Sequence, residues 1–114
     1  KNAEEVNGVK VVCAVVENTS ANDLKTMGDE LKNRLGEAVV VLASAVDGKV
    51  SLVAMATKGA VDKGAHAGNV IKEAAAVCGG GGGGKPAMAQ AGGKDASKLN
   101  EAVAKAKEVI KNQL

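Results

Sequence analysis

Six consecutive glycines, Gly79–Gly84, are the feature that most limits how this 114-residue chain can fold. Glycine adds no side chain to a core, and ordering its backbone costs more conformational entropy than ordering that of any other residue. An ordered glycine run therefore suits a place where φ is positive or where a backbone must lie close to another surface. A flexible linker is the alternative interpretation. In both cases the backbone amides are the chemistry that this segment offers.

The first half of the chain predicts a strand, a helix and a second strand. After a polar lead over Lys1–Gly8, the nearly all-apolar, β-branched run Val9–Val16 is typical of a central strand. Ser20 and Asp23 have the spacing of a capping box, which predicts the start of a helix. That helix carries an apolar stripe and has Gly36 as its C-cap. The stripe consists of Leu24, Met27, Leu31 and Leu35.

A hairpin is predicted next. Asp47-Gly48 lies between the apolar runs Ala38–Ser44 and Lys49–Ala56, and Asp-Gly in such a position favours a tight turn. These two strands are therefore expected to be antiparallel. The helix that precedes them predicts a parallel βαβ crossover from the first strand to the second. Strands that are apolar throughout need cover on both faces, which helices must supply.

The second half predicts a loop, a helix, a short strand and a last helix. The loop covers Thr57–Ala65, and the helix runs from about Ala67 to Val77, where the glycine run ends it. Ala87–Ala91 is long enough for a short strand, and Asp95 is the predicted N-cap of the last helix. The inward side chains of that helix are Leu99, Val103, Ala106, Ile110 and Leu114.

The order β-α-β-β-α-β-α predicts an α/β (α+β) fold, a two-layer or three-layer sandwich whose mixed sheet has about four strands. Residues 1–114 are expected to form a single globular domain. Hydrophobic residues make up 46% of the chain but aromatics 0%, so the core must be aliphatic and bases cannot stack on Phe, Tyr or Trp. Neither a membrane span nor a secretory leader is found, so we expect a cytoplasmic piece of a longer protein.

Motifs for catalysis, metals and nucleotides fail on their context. Cys13, Cys78 and the lone histidine His66 cannot assemble a zinc site, and no nucleophile with a partner base is found. Gly79–Lys85 matches most of a phosphate-binding P-loop, but Pro86 occupies the position of the Mg²⁺-binding hydroxyl. The run also follows a helix and not a strand. We therefore expect no catalytic residues, no metal site and no cofactor in this chain.

Two motifs together carry a family resemblance. His66–Glu73 reads His-Ala-Gly-Asn-Val-Ile-Lys-Glu, and Gly79–Gly93 contains Gly-Lys-Pro-Ala-Met-Ala-Gln-Ala-Gly-Gly after the glycines. Both resemble motifs of the C-terminal domains of alanyl-tRNA synthetases, which are members of the DHH-associated domain family. Lys85 stands where these domains usually have Arg, and Ala87 stands where they usually have Asp. The substitution by Lys keeps the charge but loses the bidentate fork of Arg.

The resemblance implies a role in binding tRNA. Domains of this kind contact the tRNA elbow and work with the other domains of an alanine–tRNA ligase, whose activity would require ATP, Mg and Zn outside this chain. A second hypothesis is the substrate-binding domain of a DHH-type phosphoesterase acting on oligonucleotides or cyclic dinucleotides. A third is a dimerisation module, which would make a homodimer. No membrane partner is expected.

The basic residues are concentrated around the glycines. Residues 58–98 carry six basic and three acidic side chains, although the whole chain has a net charge of only +2. Phosphate is the natural partner of the lysines around the glycines, which are Lys58, Lys63, Lys85, Lys94 and Lys98. Lys25 and Lys32, on the outer face of the first helix, are expected to lie away from the site. The residues expected to contact tRNA are Lys63, His66, Gly81, Gly82, Gly83, Gly84, Lys85, Gln90, Lys94 and Lys98.

Overall fold

The computed structural model describes residues 4–114 and contains one mixed sheet with helices on both sides. The strands are β1 (Glu4–Val6), β2 (Val9–Val15), β3 (Ala38–Val46), β4 (Lys49–Ala56), β5 (Gly81–Gly84) and β6 (Met88–Gly93). The helices are α1 (Ala21–Leu35), α2 (Lys58–Asp62), α3 (Ala67–Val77) and α4 (Leu99–Gln113), and a 3₁₀ turn over Ala96–Lys98 precedes α4.

The strand order of the sheet is β1-β2-β3-β4-β6-β5. β2 and β3 are parallel, which confirms the crossover predicted through α1. β3 and β4 are antiparallel, which confirms the predicted hairpin. Asp47 and Gly48 have φ values of 53° and 79° at its turn, the double positive φ that a type I′ turn requires.

Helices cover both faces of the sheet, so the fold has three layers. Val40 and Leu42 of β3 face α1 and pack with Leu24, while Val39 and Val41 belong to the larger core under α3 and α4. All five side chains are buried, and each face of the sheet receives alternate residues of the strand. This double cover explains why β3 is apolar at nearly every position.

Local signals placed the first helix correctly. The Ser20 hydroxyl accepts a hydrogen bond from the Asp23 amide at 3.3 Å, as a capping box requires, and α1 ends before Gly36 at a φ of 77°. Of the predicted stripe, Leu24 is buried and the other members are partly buried against the same core. They are Met27, Leu31 and Leu35.

The predicted sheet of about four strands is wrong, because the structure has six. β1 lies within the polar lead predicted over residues 1–8, where Val6 is the one large apolar residue and no strand pattern is visible; residues 1–3 of that lead lie outside the described residues. β5 consists of glycines, for which propensity gives no strand signal. Both added strands form the edges of the sheet, and edge strands depend on their neighbours for pairing.

Two further segments differ from the prediction: one contains an additional helix, and in the other the cap belongs to a different turn. The predicted loop Thr57–Ala65 contains α2, whose N-cap is Thr57: its hydroxyl accepts from the amide of Ala60 at 3.4 Å. Asp95 caps the 3₁₀ turn through the Ser97 amide at 3.0 Å and not α4 itself, which begins with no side-chain cap. In each case a short helical turn occupies a segment too short for a periodic pattern.

The two cysteines are free and shielded. Burial raises the pKa of the Cys13 thiol to about 12, and burial with the nearby Asp95 and Glu101 also raises the pKa of Cys78 above its usual value. Raised pKa values keep both groups as unreactive thiols at neutral pH, since the thiolate is the nucleophile.

We expect the folded chain to resist thiol labelling. At pH 8, Cys13 and Cys78 should react with a disulfide reagent at least about tenfold more slowly in buffer than in concentrated urea, because unfolding exposes them and restores their ordinary pKa. The colour released by the reagent measures both rates. Rapid labelling of the native chain would contradict the burial described here.

Candidate nucleic-acid interface

The glycine run is an ordered edge strand and not a linker. β5 pairs antiparallel with β6, so that Gly81 lies opposite Gly92 and Gly83 opposite Gln90. Lys85 and Met88 exchange backbone hydrogen bonds at 2.9 and 3.3 Å, which closes the hairpin around a two-residue turn. The strand therefore obtains its order from the backbone of β6.

The glycines alternate between two roles. A Cβ at Gly82 would lie 2.6 Å from the Gln90 carbonyl oxygen, and one at Gly84 would lie 2.7 Å from that of Met88; both are overlaps. No heavy atom lies within 4 Å of a Cβ placed at Gly81 or Gly83. Packing against β6 thus explains why glycine is required at Gly82 and Gly84. No contact among the described residues requires glycine at Gly81 and Gly83.

Gly81 and Gly83 belong to a nearly bare face of the hairpin. Directly opposite residues of an antiparallel pair share a face, so Gln90 and Gly92 lie on the same side as these two glycines. Gln90 is exposed and is the one side chain longer than hydrogen among these four positions. We call these four residues the glycine platform: Gly81, Gly83, Gln90 and Gly92.

The start of α3 fixes the hairpin in place. The amide of Ala67 donates to the Pro86 carbonyl at 2.8 Å, and that of Gly68 donates to the Lys85 carbonyl at 3.2 Å. A Cβ at Gly68 would lie 2.5 Å from the Gly84 carbonyl oxygen, so only glycine permits this approach. The two motifs that carry the family resemblance are therefore in direct contact.

His66 is the N-cap of α3. Its Nδ1 accepts a hydrogen bond from the Asn69 amide at 3.1 Å. Its own amide donates to Gln113 Oε1 at 2.9 Å, which links it to the last turn of α4. The described contacts give His66 a structural role at the helix start, and none of them directs it toward the glycine platform.

The predicted lysines do not form one cluster. Lys85 is exposed at the turn end of the hairpin, and Lys94 is exposed just beyond the other end of β6, about 20 Å away for six extended residues. Lys98 is engaged with Glu101 at 3.4 Å, and Lys63 donates to the Asn7 carbonyl at 2.9 Å near the β1–β2 turn. Lys85 and Lys94 make no ion pair among residues 4–114 and bracket the platform.

Lys32, which was expected to lie away from the site, shares a cleft with one of the residues expected to contact tRNA. Lys32 and Lys85 line the same cleft, together with Lys58 of the lysine set around the glycines. The helical stripe placed Lys32 on the outer side of α1, but residues at the end of that helix and residues of the hairpin turn line one cleft.

No group of three or more His, Cys, Asp and Glu side chains in residues 4–114 lies in a position to hold a metal ion. No helix within these residues combines the length and apolar character needed to cross a lipid bilayer.

Comparison with known proteins identifies the fold. Residues 8–112 match the DHHA1 domain. This chain belongs to the DHHA1 domain family. The DHHA1 domain described here is 59% identical over 112 residues to the alanine–tRNA ligase of Acetivibrio thermocellus, an alignment that covers 98% of this chain and 13% of that ligase. It is 51% identical over 111 residues to the alanine–tRNA ligase of Bacillus subtilis, covering 97% of this chain and 13% of that protein.

A solved structure agrees with these relatives. The C-Ala domain from Aquifex aeolicus alanyl-tRNA synthetase superposes with a TM-score of 0.85 at 34% identity, covering 97% of this chain and 99% of that one. The resemblance to the C-terminal domains of alanyl-tRNA synthetases is thereby confirmed. This DHHA1 domain spans only 13% of the length of the two ligases described above.

The alternation in β5 makes a prediction about stability. Gly82→Ala and Gly84→Ala should each lower the free energy of unfolding by about 1–3 kcal/mol, since each added methyl overlaps the backbone of β6. Gly81→Ala and Gly83→Ala should change it by no more than about 0.5–1 kcal/mol, because their Cβ positions are open. Urea denaturation measures all four. Equal losses at odd and even positions would show that β5 is not paired as described.

Proposed function

We propose that this DHHA1 domain binds tRNA as the C-terminal domain of an alanine–tRNA ligase. The observation that carries the proposal is the glycine platform, a nearly bare strand surface with an exposed lysine beyond each end. A surface without side chains lets a nucleic acid approach the backbone, and lysines at its ends neutralise phosphates. The identity of this chain to alanine–tRNA ligases supports tRNA as the nucleic acid.

The mode of binding follows from what the surface lacks. The chain has no Phe, Tyr or Trp, so bases cannot stack on aromatic rings. Recognition therefore rests on the shape of the RNA, on its phosphates and on aliphatic contact, for which the tRNA elbow is the proposed partner. In this proposal Gly82 and Gly84 act indirectly, by allowing β5 to lie flat against β6.

The wider role belongs to a longer protein. We propose that residues 1–114 fold as a single domain, that the other domains of a synthetase carry the chemistry with ATP, Mg and Zn, and that this chain alone catalyses nothing. A cytoplasmic location is part of the same proposal. The phosphoesterase hypothesis stays a prediction, and the identity to alanine–tRNA ligases favours the synthetase. Self-association stays a prediction, which light scattering at several concentrations would test.

The glycine platform predicts a separation of binding from stability. Gly83→Val should lower tRNA affinity with little change in the free energy of unfolding, because its side chain would stand on the platform. Gly84→Val should destabilise the fold itself. Filter binding of tRNA and urea denaturation of the same samples measure the two effects. Loss of stability without loss of binding in Gly83→Val would argue against the platform.

The two lysines predict a salt-dependent contribution. Lys85→Glu and Lys94→Glu should each weaken tRNA binding, and Lys→Ala at each site should reduce the slope of log K against log salt by about 0.7–0.9. Lys25→Glu and Lys25→Ala are the matched controls, since Lys25 is exposed on α1 and does not line the cleft. An equal loss of tRNA affinity in the Lys25 variants would mean that only the net charge of the chain matters. It would contradict the assignment of Lys85 and Lys94 to the binding site.

A further inference from the structure

The cleft that contains Lys85 is a separate feature from the glycine platform. It measures about 720 Å³ and lies where the end of α1, the start of α2 and the β5–β6 turn meet. Its apolar lining is formed by Ala56, Val61, Pro86 and Ala87. This volume is within the range that binds small ligands, which is about 300–1,000 Å³.

Hydrogen bonds hold the walls of the cleft together. The Ala56 amide donates to the Ala87 carbonyl at 2.9 Å, which joins β4 to the hairpin turn. The Thr57 hydroxyl accepts from the Ala38 amide at 3.1 Å as well as from Ala60 in α2. Because the hairpin turn and α2 are both bonded to the central sheet, these two walls of the cleft are preformed, and a ligand would not have to order them.

The charge of the cleft is one-sided. Lys32, Lys58 and Lys85 line it, and no acidic side chain is among the described residues that line it. The ion pair of Lys32 with Asp29 is long, at 3.9 Å, and exposed, so it holds this lysine weakly. Lys58 and Lys85 form no ion pair within residues 4–114. The Glu37 carboxylate does not line the cleft but lies against Gly59, the residue after Lys58.

We propose that this cleft binds one unpaired nucleotide of the RNA, an inference that rests on the proposed function. An apolar lining surrounded by lysines suits a ligand that combines a flat apolar ring with an anionic group. A nucleotide has this chemistry in its base and its phosphate. A base inside a helix presents only its edge, so the nucleotide that enters must be unpaired. Asn33 lies at the rim with an amide that can both donate to and accept from the edge of the base.

The test compares variants of the cleft on two RNAs. The probes are a stem-loop with unpaired nucleotides and a blunt duplex with the same number of phosphates, measured by fluorescence anisotropy over a salt series. Ala87→Leu fills the cleft from an exposed position without changing charge. We expect it to weaken binding of the stem-loop about tenfold, to leave its salt slope unchanged and to leave duplex binding unchanged.

Unlike Ala87→Leu, substitutions of the cleft lysines should change the salt dependence of binding. Lys32→Ala and Lys58→Ala should each reduce the salt slope for the stem-loop by about 0.7. Lys25→Ala, seven residues from Lys32 and therefore on the same side of α1, is the matched control and should not do so. Amide shifts of Lys58 and Ala87 on addition of the stem-loop, followed by NMR in the unmodified chain, provide a second measure that does not depend on any variant folding.

The outcomes separate this inference from the proposed function. If the unmodified chain binds neither tRNA nor the stem-loop, the proposed function fails and the cleft inference with it. If it binds and Lys94→Glu weakens binding while Ala87→Leu has no effect, the cleft inference alone is overturned. Equal effects of Ala87→Leu on stem-loop and duplex would overturn the requirement for an unpaired nucleotide.

Discussion

The contact between the start of α3 and the hairpin turn is the interaction on which the rest of this site depends. Two amides at the beginning of the helix donate to the carbonyls of Lys85 and Pro86, and these amides have no partner within the helix itself. Satisfying them with the turn ties the edge of the sheet to the larger core. Without this contact, a strand of four glycines would have little to hold it against solvent.

The same contact explains why glycine is needed on both sides. Gly68 must lack a side chain so that the helix can approach the Gly84 carbonyl, and Gly82 and Gly84 must lack one so that β5 can lie close to β6. These close backbone contacts lie on one side of the hairpin, and the opposite side carries almost no side chains. The glycine platform is therefore the exposed side of the hairpin, whose other side packs against α3.

The hairpin turn also forms one wall of the lysine cleft. Because the Ala56 amide donates to the Ala87 carbonyl, the turn lies beside the end of β4. Lysines from α1, α2 and the turn, which are far apart in sequence, then line one cavity. Its positive charge is local, since the chain as a whole has a net charge of only +2. Charge at this site is thus a product of the fold and not of composition.

The sequence by itself determined α1, the parallel β2–β3 pair and the β3–β4 hairpin, because each has a local cause: a cap at Ser20, a regular apolar pattern or the turn at Asp47-Gly48. It also indicated that the glycine run and the helix after His66 belong to one family pattern. Only the tertiary structure decided that the glycines form a strand, that they alternate in role and that Lys32 lies beside Lys85. Glycine has no side-chain pattern to interpret, and the position of one helix end against a distant turn depends on packing across the whole sheet.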